Sequence, residues 1–201
     1  MPVQKYKKFI LASASPRRKI LLEQIGIIPD LVLSSGIDET PLLNEMPSEL
    51  ALRLAKAKAK KVSENNKGLI LAADTIVTLG NRILGKARNI EEAQNFLSLL
   101  SGRRHQVLTA LAFECGLKKP LTRIVKTSVS FKRLTQSDIS NYLTSGEWVG
   151  KAGGYAIQGF AGRFVKKING SYTNVVGLPL FETANLIEGI GFKISNGEKN
   201  V

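Results

Sequence analysis

The chain is short of cysteine, histidine and acidic residues. Its one cysteine, Cys115, cannot form an internal disulfide or a multi-cysteine zinc site, and its one histidine, His105, shows no signature of a Ser-His-Asp triad. Low cysteine content suits a reducing compartment, so we expect a cytoplasmic protein. No stretch is long and charge-free enough to span a bilayer, and the apolar run at Phe9 is too short for a signal peptide.

The sequence also lacks internal repeats, low-complexity segments and Pro/Gly-rich linkers, which favours a single domain over residues 1–201. Positive charge is in excess, because 29 Lys and Arg residues outnumber 16 Asp and Glu residues and give a formal net charge of +13. Such a charge favours a polyanionic partner, either a nucleic acid or a phosphorylated small molecule.

Strand-like and helix-like segments are interspersed along the chain. The predicted strands are 9–12, 31–33, 68–79, 106–113, 124–131, 164–168 and 172–176, with a type I′ turn at Asn169-Gly170 between the last two. The predicted helices are 16–24, one from Ser48, one between Asn89 and Gly102, one between Thr135 and Gly146, and one after Pro179. This order predicts an α/β fold with a mixed twisted sheet flanked by helices.

Two arginines lie in the first turn of the first predicted helix. Ser15 is the expected N-cap, and Arg17 and Arg18 follow it, where bare cations oppose the helix dipole by several tenths of a kcal/mol each. A bound phosphate explains the pattern if backbone N–H groups, the Ser13 and Ser15 hydroxyls and the guanidinium groups surround it. The alternative is that both arginines point to solvent.

A carboxylate interrupts an otherwise apolar predicted strand at Asp74. Burying it is costly unless it is paired or bound to a metal, although the strand could instead reach solvent early. Lys86 is then either its ion-pair partner or a phosphate ligand. Asp38 and Glu39 lie in a polar loop, where acidic residues are commonly solvated.

Eight short blocks of the sequence resemble the Maf family in order and spacing. The blocks are 13–18, 38–39, 54–59, 73–75, 84–86, 100–105, 151–159 and 170–179. The resemblance extends from Phe9 to about Ile187. Ala87 and Ala72 depart from the proline and glycine that are frequent in the family at those positions.

The resemblance implies a substrate cleft between two lobes and the hydrolysis of a nucleoside triphosphate to the monophosphate and pyrophosphate. It also implies a homodimer. By motif position, the residues expected to contact the triphosphate are Arg17, Arg18, Lys58 and Lys86. Glu39 and Asp74 are expected to hold a divalent cation, with Asp74 as the proton acceptor. Hard oxygen ligands favour Mg²⁺ or Mn²⁺ over zinc. The family pattern, rather than helical spacing, distinguishes Lys58 from the lysines around it.

Within the family, Arg18, Thr75 and Gln158 resemble the branch that prefers dTTP and UTP rather than the branch that acts on 7-methyl-GTP. A glutamine amide both donates and accepts, which suits the O4/N3 edge of uracil or thymine, although it could instead bond to the loop backbone. The rival hypothesis is a basic binding protein that acts on nucleic acid or in cell division. Dispersed basic residues and the lack of a nucleic-acid module disfavour nucleic acid as a partner.

Overall fold

A seven-stranded mixed sheet runs through residues 8–192, the part of the chain described by the structure, which is a computed structural model. The strands are β1 (Phe9–Ala12), β2 (Leu31–Leu33), β3 (Leu69–Leu79), β4 (Arg82–Leu84), β5 (Arg104–Glu114), β6 (Leu121–Phe131) and β7 (Val165–Asn169). The helices are α1 (Pro16–Gln24), α2 (Pro47–Ser63), α3 (Ile90–Leu100), α4 (Gln136–Thr144), α5 (Tyr172–Val176) and α6 (Leu180–Gly189), with a 3-10 turn at Phe160–Phe164. None of the helices described in residues 8–192 has the length and apolarity that a bilayer crossing demands. The predicted α/β fold with a mixed sheet is confirmed.

The strands follow the order β2-β1-β3-β5-β6-β7, and β4 pairs with β3. β1 is parallel to β2 and β3, whereas β3, β5, β6 and β7 are joined by antiparallel pairings. The three longest strands, β3, β5 and β6, have 11 residues each and form the centre of the sheet.

One edge of β3 is open in its middle. β5 pairs with β3 continuously from Ile70 to Thr78 along the opposite edge. On the open edge, β1 pairs with β3 only as far as Ala72, and β4 pairs only from Val77 onward. Among the described strands, none pairs with residues 73–76 on that edge. The chain leaves β1 at this gap, and a cleft forms there for the same reason that ligand sites lie beyond the carboxyl ends of parallel strands.

Two apolar clusters pack on opposite faces of the sheet. Because side chains alternate along a strand, Leu11 and Leu71 enter one cluster, and Ile10 and Ile70 enter the other. The second cluster is built on α2, whose buried side chains are Leu50, Ala51, Leu54, Ala55, Lys58, Ala59 and Val62. Its alanines allow the helix to approach the small residues of β1 and β3. The first cluster contains side chains from α1, α3, α4 and α6.

The segment 172–176 was predicted as a strand, and this prediction is wrong. The predicted type I′ turn at Asn169-Gly170 is wrong as well, because Asn169 is the last residue of β7 and only Gly170 of the two has a positive φ. Ser171 then caps α5 by accepting a hydrogen bond from the Asn174 backbone N–H at 3.2 Å. The buried Asn174 side chain also donates to the Val107 carbonyl and the Thr127 hydroxyl. These side-chain hydrogen bonds outweigh the strand preference of the valines, because local caps compete with ladder pairing.

The prediction also missed the short strand β4 and the 3-10 turn, and the other differences concern the ends of elements. α2 begins at Pro47 rather than Ser48, and β5 and β6 extend beyond the predicted 106–113 and 124–131. The extensions are largely polar or charged, so an apolar run in the sequence does not reveal them.

Candidate active site

A cleft of about 560 Å³ opens at the gap in β3. It collects the loop after β1, the loop before α2, the middle of β3, the glycine-rich loop that precedes the 3-10 turn, and the end of α5. All ten residues predicted for the site line this cleft: Ser13, Ser15, Arg17, Arg18, Glu39, Lys58, Asp74, Thr75, Lys86 and Gln158. The structure therefore brings together residues from six separate parts of the sequence, although their chemical roles remain predictions.

A lysine joins the two carboxylates at the centre of the cleft. The Lys58 ammonium lies 2.6 Å from Asp74 Oδ1 and 2.6 Å from Glu39 Oε1. The second oxygen of Glu39 accepts a hydrogen bond from Lys86 at 2.8 Å. Asp74 is therefore paired with Lys58, and the predicted pairing of Asp74 with Lys86 is not found. Glu39, which looked like an ordinary loop carboxylate in the sequence, bridges two lysines.

The two carboxyl groups have opposite pKa shifts. Burial raises the pKa of Asp74 above its ordinary value, although the Lys58 ammonium acts in the opposite direction. Partial burial also acts to raise the pKa of Glu39, but the hydrogen bonds from Lys58 and Lys86 outweigh it and bring that pKa to about 2. Asp74 is therefore the more basic carboxylate, which is the property that a proton acceptor needs.

The donor chemistry of this centre fits a hard divalent cation. Glu39 and Asp74 offer carboxylate oxygens that converge on one point, where the Lys58 ammonium now lies between them. Within residues 8–192, there is no group of three or more His, Cys, Asp or Glu side chains arranged to hold a metal. One or two carboxylates together with substrate phosphates are the ligands that Mg²⁺ commonly uses in proteins.

Three hydrogen bonds fix the Arg18 guanidinium group in the part of the cleft that Thr75 lines. Its Nε donates to the Gly177 carbonyl at 2.8 Å, and its two terminal nitrogens donate to the Ser13 hydroxyl and the Thr75 hydroxyl, each at 3.1 Å. Burial lowers the pKa of Arg18, but an arginine remains protonated near neutral pH. Arg17 Nε lies 3.4 Å from the Val176 carbonyl. The alternative in which both arginines simply point to solvent is therefore wrong.

The cap of α1 differs in detail from the prediction. Ser15 is the N-cap residue, but its side chain makes no capping hydrogen bond. Its backbone N–H instead donates to the Ser13 hydroxyl at 3.1 Å. Ser13 is buried and also receives Arg18, so its hydroxyl organises the turn that brings the first helix to the cleft.

The glycine-rich loop forms the side of the cleft that carries Gln158. The Gly153 N–H donates to the carbonyls of Leu84 and Gly85, and Lys86 and Ala152 form a β-bridge. These bonds tie the loop to the lysine that reaches Glu39. Gln158 itself is exposed at the cleft surface.

Tyr155 in the same loop is buried, and its hydroxyl lies 2.8 Å from His105 Nε2. The rings of His105 and Tyr155 also meet edge to face. This geometry gives both residues a structural role, because the pair anchors the loop to β5. Burial lowers the pKa of His105 to about 4, so its ring is neutral at pH 7.

Sequence reasoning missed two features of the site. Lys58 lies four residues after Leu54 and four before Val62, on the apolar face of α2, and this spacing does separate it from its exposed neighbours Lys56 and Lys60. The other omission is Thr109, a fully buried threonine of β5 whose hydroxyl lies 3.0 Å from that of Thr75. A polar residue inside an apolar strand was the available signal for it.

The fold and the cleft together define an α/β protein with a cation-rich site for an anionic ligand. Comparison with known proteins identifies the family: the model described as Maf-like protein matches residues 8–190, so the chain belongs to the Maf-like protein family. A relative from Rhodopseudomonas palustris (strain BisB18), named dTTP/UTP pyrophosphatase, is 52% identical and is matched over 96% of this chain and 97% of its own length. A relative of the same name from Hyphomonas neptunium is 54% identical over 92% of this chain and 96% of its own.

A solved structure of a HAM1 protein from Coxiella burnetii is similar with a TM-score of 0.49 and 16% sequence identity, and the match covers 90% of this chain and 98% of that one.

Proposed function

We propose that the chain hydrolyses dTTP and UTP to the monophosphate and pyrophosphate. The observation that carries the proposal is the convergence of four cationic side chains and two carboxylates in one cleft. The chain shares about half of its residues, over nearly its full length, with relatives named dTTP/UTP pyrophosphatase.

Five cationic side chains line the cleft, and four of them suit a triphosphate: Arg17, Arg18, Lys58 and Lys86. The fifth is Lys151. Without substrate, Lys58 and Lys86 are neutralised by Glu39 and Asp74. A bound triphosphate would compete for these ammonium groups, and the cations would stabilise the negative charge that develops on the phosphates during the reaction.

Asp74 is the proposed proton acceptor. Its raised pKa gives it a higher affinity for a proton than an exposed aspartate has, and it lies beside the Lys58 ammonium. In this role it orients a water molecule toward the α-phosphorus and takes the proton that the water loses. The P–O bond between the α-phosphorus and the pyrophosphate then breaks.

We further propose that Glu39 and Asp74 hold Mg²⁺ or Mn²⁺. When bound, such a cation supplies positive charge that polarises the phosphate oxygens. The two carboxylates can exchange Lys58 for the cation, which frees the Lys58 ammonium for a phosphate oxygen.

The experiment that tests the function is pyrophosphate release from dTTP, UTP, CTP, 7-methyl-GTP, GTP and ATP, with Mg²⁺, with Mn²⁺ and with chelator. Release chiefly from dTTP and UTP that stops with chelator is the expected result. A preference for 7-methyl-GTP would place the chain in the other branch. No release from any nucleotide would favour the basic binding-protein hypothesis.

Two isosteric variants test the proposed centre. Asp74→Asn and Glu39→Gln each remove one carboxylate charge, and we expect each to lower kcat by roughly 10²-fold or more while the protein stays folded. The matched control is Glu64→Gln, because Glu64 pairs with Lys61 on the exposed side of α2. Normal rates in both cleft variants would contradict the proposed roles.

We also propose that the chain acts as a single domain in the cytoplasm and as a homodimer. The lone cysteine supports a reducing compartment. Light scattering coupled to size-exclusion chromatography measures the oligomeric state directly, and a monomer at micromolar concentration would contradict the homodimer.

A further inference from the structure

A chain of hydrogen bonds leads from the cleft into the protein. Arg18 donates to the Thr75 hydroxyl at 3.1 Å, this hydroxyl lies 3.0 Å from the Thr109 hydroxyl, and Thr109 donates to the Asn174 carbonyl at 3.1 Å. Arg18 and Thr75 line the cleft, whereas Thr109 and Asn174 are fully buried. The chain therefore connects the cleft wall to α5.

The number of hydroxyl protons decides which threonine donates in the hydrogen bond between Thr75 and Thr109. A threonine hydroxyl has one proton and two lone pairs. The proton of Thr109 is used on the Asn174 carbonyl, so Thr109 can only accept from Thr75. The other acceptor near the Thr75 hydroxyl is the Gly177 carbonyl, at the longer distance of 3.5 Å. In either arrangement, a protein carbonyl or hydroxyl accepts the Thr75 proton, which is then not offered to a ligand.

The Thr75 oxygen is therefore left with acceptor capacity only. One lone pair receives the Arg18 N–H, and the other remains for a ligand in the cleft. Because Thr109 is buried and paired on both sides, water cannot readily take its place and release the Thr75 proton.

We propose that Thr109 is a positioning residue for substrate selection, which it exerts by fixing the Thr75 hydroxyl as a hydrogen-bond acceptor toward the nucleotide base. This inference rests on the proposed function. Uracil and thymine carry an N–H donor at N3, whereas cytosine has an acceptor at N3. A hydroxyl that can only accept forms a hydrogen bond with N3–H of uracil or thymine. With cytosine it faces the N3 acceptor and forms no hydrogen bond there, which disfavours CTP.

The test is Thr109→Val, which removes the hydroxyl with little change in volume. Thr75 then keeps only the more distant Gly177 carbonyl, at 3.5 Å, as a protein acceptor, so its proton can also turn to cytosine. We expect the ratio of kcat/KM for UTP to that for CTP to fall about 3- to 10-fold, the range of one net hydrogen bond. The change should lie mainly in KM. Thr109→Ser keeps the hydroxyl and should restore the ratio.

The matched control is Thr127→Val. Thr127 is another fully buried threonine, on the adjacent strand β6. Its hydroxyl forms hydrogen bonds with the Ser171 backbone and accepts one from the Asn174 side-chain amide. Among the hydrogen bonds of residues 8–192, none joins Thr127 to Thr75. Loss of this hydroxyl should lower Tm by an amount similar to that in Thr109→Val, while the UTP to CTP ratio stays unchanged.

A lower ratio in Thr109→Val, restored in Thr109→Ser and absent in Thr127→Val, supports the proposal. An unchanged ratio in folded Thr109→Val, or an equal fall in Thr127→Val, overturns it. Thr109→Ala serves as the test variant if the valine variant does not fold. If the wild-type protein hydrolyses no nucleotide, the proposed function fails instead, and calorimetric affinities for UMP and CMP in the same variants then decide the role of Thr109 by the same comparison.

Discussion

Replacing Lys58 with methionine tests whether this lysine is the counter-ion of the cleft. Its ammonium lies 2.6 Å from both Asp74 and Glu39, and its side chain is only 10% exposed, as is that of Asp74. Removing one partner of a buried pair leaves an uncompensated charge and typically costs about 3 to 5 kcal/mol. Glu39 keeps Lys86, so the lower end, about 3 kcal/mol at pH 8, is the expected loss in the free energy of unfolding.

The loss should depend on pH with a defined sign. Without Lys58, the folded-state pKa of Asp74 rises further above its unfolded value, so the folded state binds more protons than the unfolded state between these two pKa values. The free energy of unfolding of the variant therefore falls as pH rises. As pH falls from 8 to 5, protonation of Asp74 relieves the buried charge, so the loss relative to wild type should shrink toward about 1 kcal/mol.

The assay is thermal unfolding of both proteins at pH 5 and pH 8. For a chain of this length, about 3 kcal/mol corresponds to a Tm decrease of roughly 6 to 12 °C. The control is Lys61→Met, which lies on the same helix but is paired with Glu64 in solvent, and it should cost less than about 1 kcal/mol at either pH. A loss for Lys58→Met that equals the control, or that grows toward low pH, would refute the reasoning.

Three further predictions follow from the same structure. Burial raises the pKa of Asp74 in the metal-free protein, so an NMR titration of its carboxyl in the presence of chelator should show a pKa above the ordinary aspartate value of about 3.9, and a pKa at or below that value would contradict this. Burial lowers the pKa of His105 to about 4, so this residue should lower wild-type stability by about 3 kcal/mol as pH falls from 6.5 toward 4, and thermal unfolding of His105→Gln should show a loss that is smaller by this amount. In Gly153→Ala the added Cβ would lie 2.8 Å from Val77, while in Gly150→Ala no atom lies within 4 Å, and both residues have positive φ. Each should therefore lose about 1 kcal/mol or more from backbone strain, and only Gly153→Ala should show a further loss of Tm and of turnover; equal effects would disprove the contact.

The sequence predicted the elements of this fold wherever a single signal dominated. The apolar strands at 9–12 and 68–79 and the capped helices after Asn89 and Thr135 lie where periodicity and caps placed them. The prediction for 172–176 was wrong because its two valines favour a strand. The helix is decided instead by hydrogen bonds from the Asn174 side chain to β5 and β6. Such bonds between distant residues leave no periodic trace in the sequence.

The residues of the cleft could be named from the family pattern, but their partners could not. Nothing in the sequence indicated that Glu39 bridges Lys58 and Lys86, because those residues are far apart in the chain and meet only through the gap in β3. The pKa of Asp74 likewise depends on the depth at which β3 is covered, which is a property of the packed sheet.

Asp74 and Thr75 are neighbours on β3, yet within residues 8–192 no hydrogen bond connects the network of Asp74, Lys58 and Glu39 with that of Thr75, Arg18 and Thr109. Because side chains alternate along β3, the residue proposed for hydrolysis and the residue proposed for base selection belong to separate networks although they are neighbours in the chain. For protein engineering, this separation makes Thr75 and Thr109 the positions to randomise when a different base is wanted, with Arg18 retained for the triphosphate and Asp74, Lys58 and Glu39 left in place. By the same separation, new nucleotide preferences can evolve through substitutions that leave the residues proposed for hydrolysis unchanged.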